Sequence, residues 1–270
     1  MLNRPVTETQ ITHANRLWLY AVVALVTIFL VVPCILVVPM SFSASEYLEF
    51  PPSELSLRWY RAFLGSPEWL GALWTSIKVA VPVTVIATAL GTAAAWGLHR
   101  RFGLLFSISR GLYMLPMLVP LILIAVGVFF VYAKLGINGT IGGLILAHTM
   151  LALPFVLIAV GNGLASFDMN QHQVSRSLGA SELVAFFTVT LPQIRISVLS
   201  GAVFAFVTSF DEVVVALYIS SGENETLTRR MFSNIRDQVD PTVAAISSLL
   251  VSVVILGMVL FLVLRKEEQA

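Results

Sequence analysis

Six stretches of about twenty or more mostly apolar residues recur along the chain, at residues 17–40, 73–98, 108–132, 141–164, 196–219 and 242–264. A helix needs ~20 such residues, at 1.5 Å rise each, to cross ~30 Å of hydrocarbon. Hydrocarbon offers no partner for a backbone N–H or C=O, so a segment of this kind crosses it only with its amides bonded internally, as a helix does. With 57% hydrophobic and 11% charged residues, the chain is far from the ~25% charge of a soluble domain. The expectation is an all-α polytopic membrane protein with six transmembrane helices. One transmembrane domain covers 17–264, flanked by segments 1–16 and 265–270.

The third and fourth stretches carry Pro116, Pro120, Gly127, Gly142 and Pro154, which bundled membrane helices tolerate when neighbours satisfy the freed backbone groups. The first stretch is too long for a signal-peptide core and no small-residue cleavage site follows it, so it reads as a retained span. The single cysteine, Cys34, rules out an intrachain disulfide. The net charge of +1 gives no sign of nucleic-acid binding.

Basic residues set the orientation. With the amino terminus in the cytoplasm, Arg4, Arg16, Arg100, Arg101, Arg110, Arg176, Arg195, Arg265 and Lys266 lie inside. Arg58, Arg61, Lys134, Arg229, Arg230 and Arg236 lie outside, with Lys78 near a boundary. The strongest cluster, 99–110, is close to span ends, where the positive-inside effect is greatest. Both termini are then cytoplasmic, and so is the loop at about 166–195.

That loop is polar and centred on a glycine. Its first half ends at Leu178, Gly179 supplies the residue that most easily takes positive φ, Ser181 can cap a second helix, and Pro192 marks that helix's end. Such a shape is either a docking surface for a soluble partner or a hairpin joining two spans. On the other side, residues 56–74, SLRWYRAFLGSPEWLGALW, repeat aromatic and leucine residues at helical spacing. They form one or two interfacial helices, as an aromatic belt or a ligand surface. The mixed-charge loop 221–241 is a solvated connector or a receiving surface for an external partner.

Asp211 and Glu212 stand inside the fifth stretch. A carboxylate at a helix centre costs at least ~2.5 kcal/mol on insertion scales and usually faces a bundle interior or a watery path. Two readings follow: a pathway role, or a position nearer the outer interface. His99 and His148 have no ligand-spaced companions and read as structural, so neither a metal nor a cofactor is expected. Phe204, Phe206 and Phe210 read as packing or lipid contacts. There is no phosphate-cradling glycine loop, no HExxH pair and no nucleophile elbow.

The loop resembles the Glu-Ala-Ala motif of permease subunits in prokaryotic ABC importers. Leu178, Gly179, Ala180, Ser181, Leu191 and Pro192 match it, and Arg176 fits a commonly basic position. Gln173, Val174 and Ser175 replace the name-giving residues. The run SFDEVVVALYIS, followed by LTRRMFSNIRDQVDPTVAAISSLL, is similar to the second permease of the spermidine and putrescine class. The resemblance implies a type I importer fold in the inner membrane and no enzymatic activity of the chain's own. Its implied partners are a second homologous permease, two cytoplasmic ATPase subunits, an extracytoplasmic solute-binding protein, lipid and a small cationic substrate. The ATPase docks on Gln173, Arg176, Leu178–Ser181, Leu191 and Pro192, and the substrate passes Asp211 and Glu212. The rival readings are an ion-coupled secondary transporter, for which no convincing repeat is visible, and an importer permease for another small solute such as an amino-acid derivative.

Overall fold

A computed structural model describes residues 16–99, 103–237 and 239–267. Arg4, Arg100 and Arg101, and nearly all of the expected segment 1–16, lie outside the described residues. The described chain is a succession of α-helices, and its contacts divide the described residues into two units, one within 16–66 and 234–267 and the other within 67–233.

In the first unit, α1 (Leu17–Ser41) exposes apolar side chains over nearly its whole length. It packs with α13 (Thr242–Glu267), and α2 (Arg58–Gly65) also packs on α13. Tyr60 of α2 ties the three together. Its hydroxyl lies 2.6 Å from Ser41 Oγ and donates to Ser248 Oγ at 3.3 Å. Between α1 and α2 the chain folds back through an isolated antiparallel bridge, Ser43 to Leu55. Glu49 accepts there from Ser53 N, Ser53 Oγ and Ser43 Oγ, and these donors, the Ser53 amide first, hold its carboxyl below the usual carboxylate range.

The second unit is built on three helices in mutual contact: α3 (Pro67–His99), α6 (Ile141–Ser166) and α10 (Arg195–Phe210). Glycines let them approach closely, as in membrane bundles generally. A Cβ on Gly91 of α3 would lie 2.7 Å from Val156 Cβ of α6, a distance real Cβ atoms do not show. Val79, Val83, Leu144, Val156, Val160 and Leu164 fill the interior.

Among the described residues, three helices are long and apolar enough to cross a membrane as single rods: α1, α3 and α6. The third predicted segment is two helices, α4 (Leu104–Leu118) and α5 (Leu121–Leu135), bent by 101° at Val119–Pro120. Pro120 cannot donate to the helix ladder and restricts the residue before it, which accounts for the place of the break. The fifth predicted segment is also broken, into α10 and α11 (Val214–Ile219). Asp211 and Glu212 therefore sit in a break rather than within a continuous helix.

Candidate functional site

The polar loop folds into a helix-turn-helix. Its first helix, α7 (Met169–Ser177), is capped by Asp168, whose side chain accepts from Asn170 N at 3.0 Å. Gly179 has φ +98°. Ala180 N donates to Ser175 O at 3.2 Å and Gly179 N to Arg176 O at 3.0 Å. These two bonds form the Schellman closure, which uses the orphan carbonyls of a helix end and needs a left-handed residue. Ser181 then caps α8 (Glu182–Ala185) by accepting from Val184 N at 3.3 Å. The helix does not stop before Pro192: a wide turn, Phe186–Thr190, leads into α9 (Leu191–Gln193), and the sharp bend of 79° comes after it, before α10. Pro192 is the second residue of α9, directly after the wide turn.

The loop is held from below by residues that local pattern did not single out. His172 is fully buried, with Nδ1 3.0 Å from Thr190 Oγ1 and Nε2 3.2 Å from Glu182 Oε1. The other oxygen of Glu182 accepts from Arg176 Nη1 at 2.9 Å, so the basic residue of the motif is engaged within the loop. Trp96 of α3 packs edge-on against His172 and also against Phe186, with ring centroids 4.9 Å apart in both cases. Outward, Gln173 is exposed beside Val174, Leu178, Leu183, Val184 and Phe187, a cluster of large apolar side chains on an otherwise polar segment. Exposed apolar patches of this kind mark interaction surfaces.

The second feature is a cavity of about 690 Å³ into which both broken segments open. One wall is residues 116–121 at the α4–α5 bend. The other holds Val207, Thr208, Asp211 and Glu212, with Leu151 and Phe155 of α6 between them. Irregular backbone at membrane depth is tolerated where it lines such a cavity. The two carboxylates are not equivalent. Glu212 is buried; its oxygens accept from Val215 N at 2.7 Å and Ala216 N at 2.9 Å, and His148 Nε2 of α6 lies 3.5 Å away. Asp211 is exposed and has no hydrogen-bond or ion-pair partner for its carboxylate among the described residues. His148, expected to be structural, is fully buried against this break. Phe204 stacks with Phe155 and Phe206 with Phe210, in line with packing roles.

A family model described as a binding-protein-dependent transport system inner membrane component matches residues 87–267. The putrescine transport system permease protein PotI of Escherichia coli is 30% identical over 262 residues, 93% of this chain and 92% of that one. The spermidine/putrescine transport system permease protein PotC of Haemophilus influenzae is 30% identical over 224 residues, 83% of this chain and 86% of its own. The molybdenum transport system permease protein ModB of Mycobacterium bovis is 28% identical over 206 residues, 72% and 78% of the two chains. In structure, a chain of a bacterial ABC transporter involved in the import of the acidic polysaccharide alginate superposes with a TM-score of 0.72 over 95% of this chain and 98% of that one, at 14% identity. The two chains share one fold. The chain belongs to the binding-protein-dependent transport system inner membrane component family, as a permease subunit of an ABC importer and not an enzyme in its own right.

Proposed function

We propose that the chain forms half of the translocation path for a small polyamine such as putrescine or spermidine, paired with a second homologous permease. Both termini and the Gly179 loop face the cytoplasm, where two ATPase subunits dock on Gln173, Arg176, Leu178, Gly179, Ala180, Ser181, Leu191 and Pro192. A solute-binding protein delivers cargo from the other side. ATP binding closes the ATPase pair, and the loop passes that closure to the bundle as rigid-body motion. The different affinities of ATP for the two states supply the bias.

The observation that carries the cargo reading is the uncompensated carboxylate of Asp211 in the cavity where the two broken segments meet. An ammonium entering the membrane exchanges water for carboxylates or ring faces. Asp211 offers the first, and Phe155 on the same cavity the second. Glu212 supports the wall with its own hydrogen bonds rather than meeting the cargo.

The test is reconstitution of the permease pair with its ATPase and binding protein, with uptake of putrescine, spermidine, an amino acid and molybdate compared. Uptake that requires ATP and binding protein, is selective for the amines and falls at least tenfold in Asp211→Asn is the expected result, since a lost charged contact is worth ~1.5–3 kcal/mol. Normal amine uptake in Asp211→Asn at matched assembly refutes the path. Ion-gradient uptake by this chain alone refutes the importer mechanism.

A further inference from the structure

We infer that His148 and Thr228 are positioning residues for transport, a two-sided latch that keeps the Glu212 carboxylate tied down in the cavity wall, so that of the two acidic residues lining the cavity Asp211 is the one left exposed. The inference rests on reading that cavity as the path.

The hydrogen-bond chemistry of the break is the ground for it. His148 Nδ1 lies 3.0 Å from Ser209 Oγ and 3.1 Å from Ser209 O, on the last turn of α10. With the ring neutral and its hydrogen on Nε2, the Ser209 hydroxyl donates to Nδ1, and Nε2–H is left beside Glu212 Oε2 at 3.5 Å, a polar contact longer than a formed hydrogen bond. Glu212 thus accepts from the two amides of Val215 and Ala216, and the His148 ring sits 3.5 Å from Oε2 as a polar neighbour on the same side. On the other side, Thr228, in the first turn of α12 (Leu227–Asp237), donates to Glu212 O at 3.0 Å and reaches Phe210 O at 3.4 Å. Thr228 thereby covers two carbonyls that a continuous helix would have satisfied. Leu227 N, next to it, donates to Ser76 Oγ of α3 at 2.8 Å. The break is thus pinned to α6 through a side chain and to α3 through the start of α12.

The latch matters because the backbone on either side of Glu212 is near-helical: Asp211 has φ −89° and ψ −1°, Val213 φ −117° and ψ −43°. Successive side chains there point about 100° apart. A turn that frees the Glu212 carboxylate from the wall into the cavity takes Asp211 away from it. Without the His148 contact, a buried carboxylate has a reason to make that turn, since water replaces the lost donor.

The reporter is a thiol at the path position, Asp211→Cys in a Cys34→Ala background, in membranes carrying the assembled complex. The measurement is its rate of modification by an aqueous, cationic methanethiosulfonate. His148→Gln keeps a donor toward Glu212, His148→Asn reaches Ser209 but falls short of Glu212, and His148→Leu fills the space with no donor.

We expect labelling within about threefold of the parent in His148→Gln, and slowed about tenfold, or ~1.4 kcal/mol, in His148→Asn and His148→Leu. Thr228→Ser retains the rate and Thr228→Val slows it. A packing role gives the opposite order, with Leu tolerated and Gln harmful. Parent-like labelling in His148→Leu, or labelling in His148→Gln as slow as in His148→Leu, overturns the latch. Should the Leu variant fail to assemble, the contrast of Gln with Asn decides. Because labelling needs no cargo, a wild-type complex that fails to import amines but keeps this order refutes the polyamine reading alone. Amine import without the order refutes the latch alone.

Discussion

Gly179 has φ +98°, and an added Cβ there meets no atom within 4 Å. Any effect of substitution is therefore backbone strain and not a clash. Holding an L-residue in left-handed backbone costs roughly 1–2 kcal/mol, and a β-branched residue resists it further. The strain acts on the Schellman closure that joins α7 to α8, so the loop spends less time in the docking-competent shape. A penalty of ~1–2 kcal/mol corresponds to a factor of about 5–30 in that equilibrium. If docking selects the native shape, the ATPase concentration needed for half-maximal assembly rises by the same factor. The assay titrates purified ATPase subunit against the permease complex in detergent or nanodiscs and reads retention on the permease. Gly179→Ala and Gly179→Val should both shift the curve, with Val the larger. Gly179→Asn should shift it least, because asparagine tolerates left-handed backbone. Unchanged curves for Ala and Val, with insertion and coupled uptake normal, would remove the turn from the docking mechanism.

Other outcomes follow from the same structure. Gln173→Glu should be tolerated, with no salt-dependent loss of assembly, because the exposed amide here makes docking independent of a charge at that position; a large loss restored by salt contradicts this. Glu182→Ala removes the partner shared by buried His172 and by Arg176. It should cost ~1–3 kcal/mol locally, seen as faster proteolysis of the loop while the membrane helices stay intact. Gly91→Leu places a large side chain where even a Cβ meets Val156 at 2.7 Å; overpacking of about 1–3 kcal/mol or more should lower the thermal midpoint of the purified complex. The Glu49 carboxyl, depressed in the folded loop by Ser53 and Ser43, stabilises the turn fully above the unfolded value near 4.3 and loses that contribution as pH falls through the lower folded value. Protease sensitivity of residues 43–57 should therefore rise only in the acid range, and not in Glu49→Gln.

The parts of this molecule that depend on local chemistry were legible in its sequence. Gly179 at a helix end and Ser181 as a cap need only their own neighbours, and both occupy the expected conformations. The apolar segments were visible from length alone, but their continuity was not. Pro116 and Pro120 stand in the third segment, yet only the bend of 101° places them on the same cavity as Asp211. The fifth segment has no proline between Ile196 and Ile219. It breaks where Glu212 turns back to take the amides of Val215 and Ala216, a competition between side chain and helix that an apolar pattern does not reveal. His172 escaped notice because its surroundings come from elsewhere: Trp96 from α3 and Thr190 from the far side of the turn. A lone histidine in a polar loop carries no sign of burial until α3 is placed beneath it.

Relatives whose names attach them to putrescine, to spermidine and to molybdenum share most of this chain's length at 28–30% identity. Under the proposed reading, whatever selectivity this chain adds to that of the binding protein comes from the few side chains at the breaks. Charge makes this concrete under the proposed reading. At an effective dielectric of about 20, one unit charge 4 Å from the Asp211 carboxylate interacts by roughly 4 kcal/mol. That interaction is attractive for an ammonium and repulsive for an oxyanion, so a single uncompensated carboxylate separates the two classes by more than any apolar wall can. The separation is sharpest while the Glu212 carboxylate stays hydrogen-bonded in the wall, because two exposed carboxylates on one wall would repel each other. The amides of α11, with His148 of α6 beside them, keep Glu212 out of that contest. The break in the fifth segment, which looks like a defect in a membrane helix, is what leaves one of the two carboxylates exposed on the cavity and the other held in its wall.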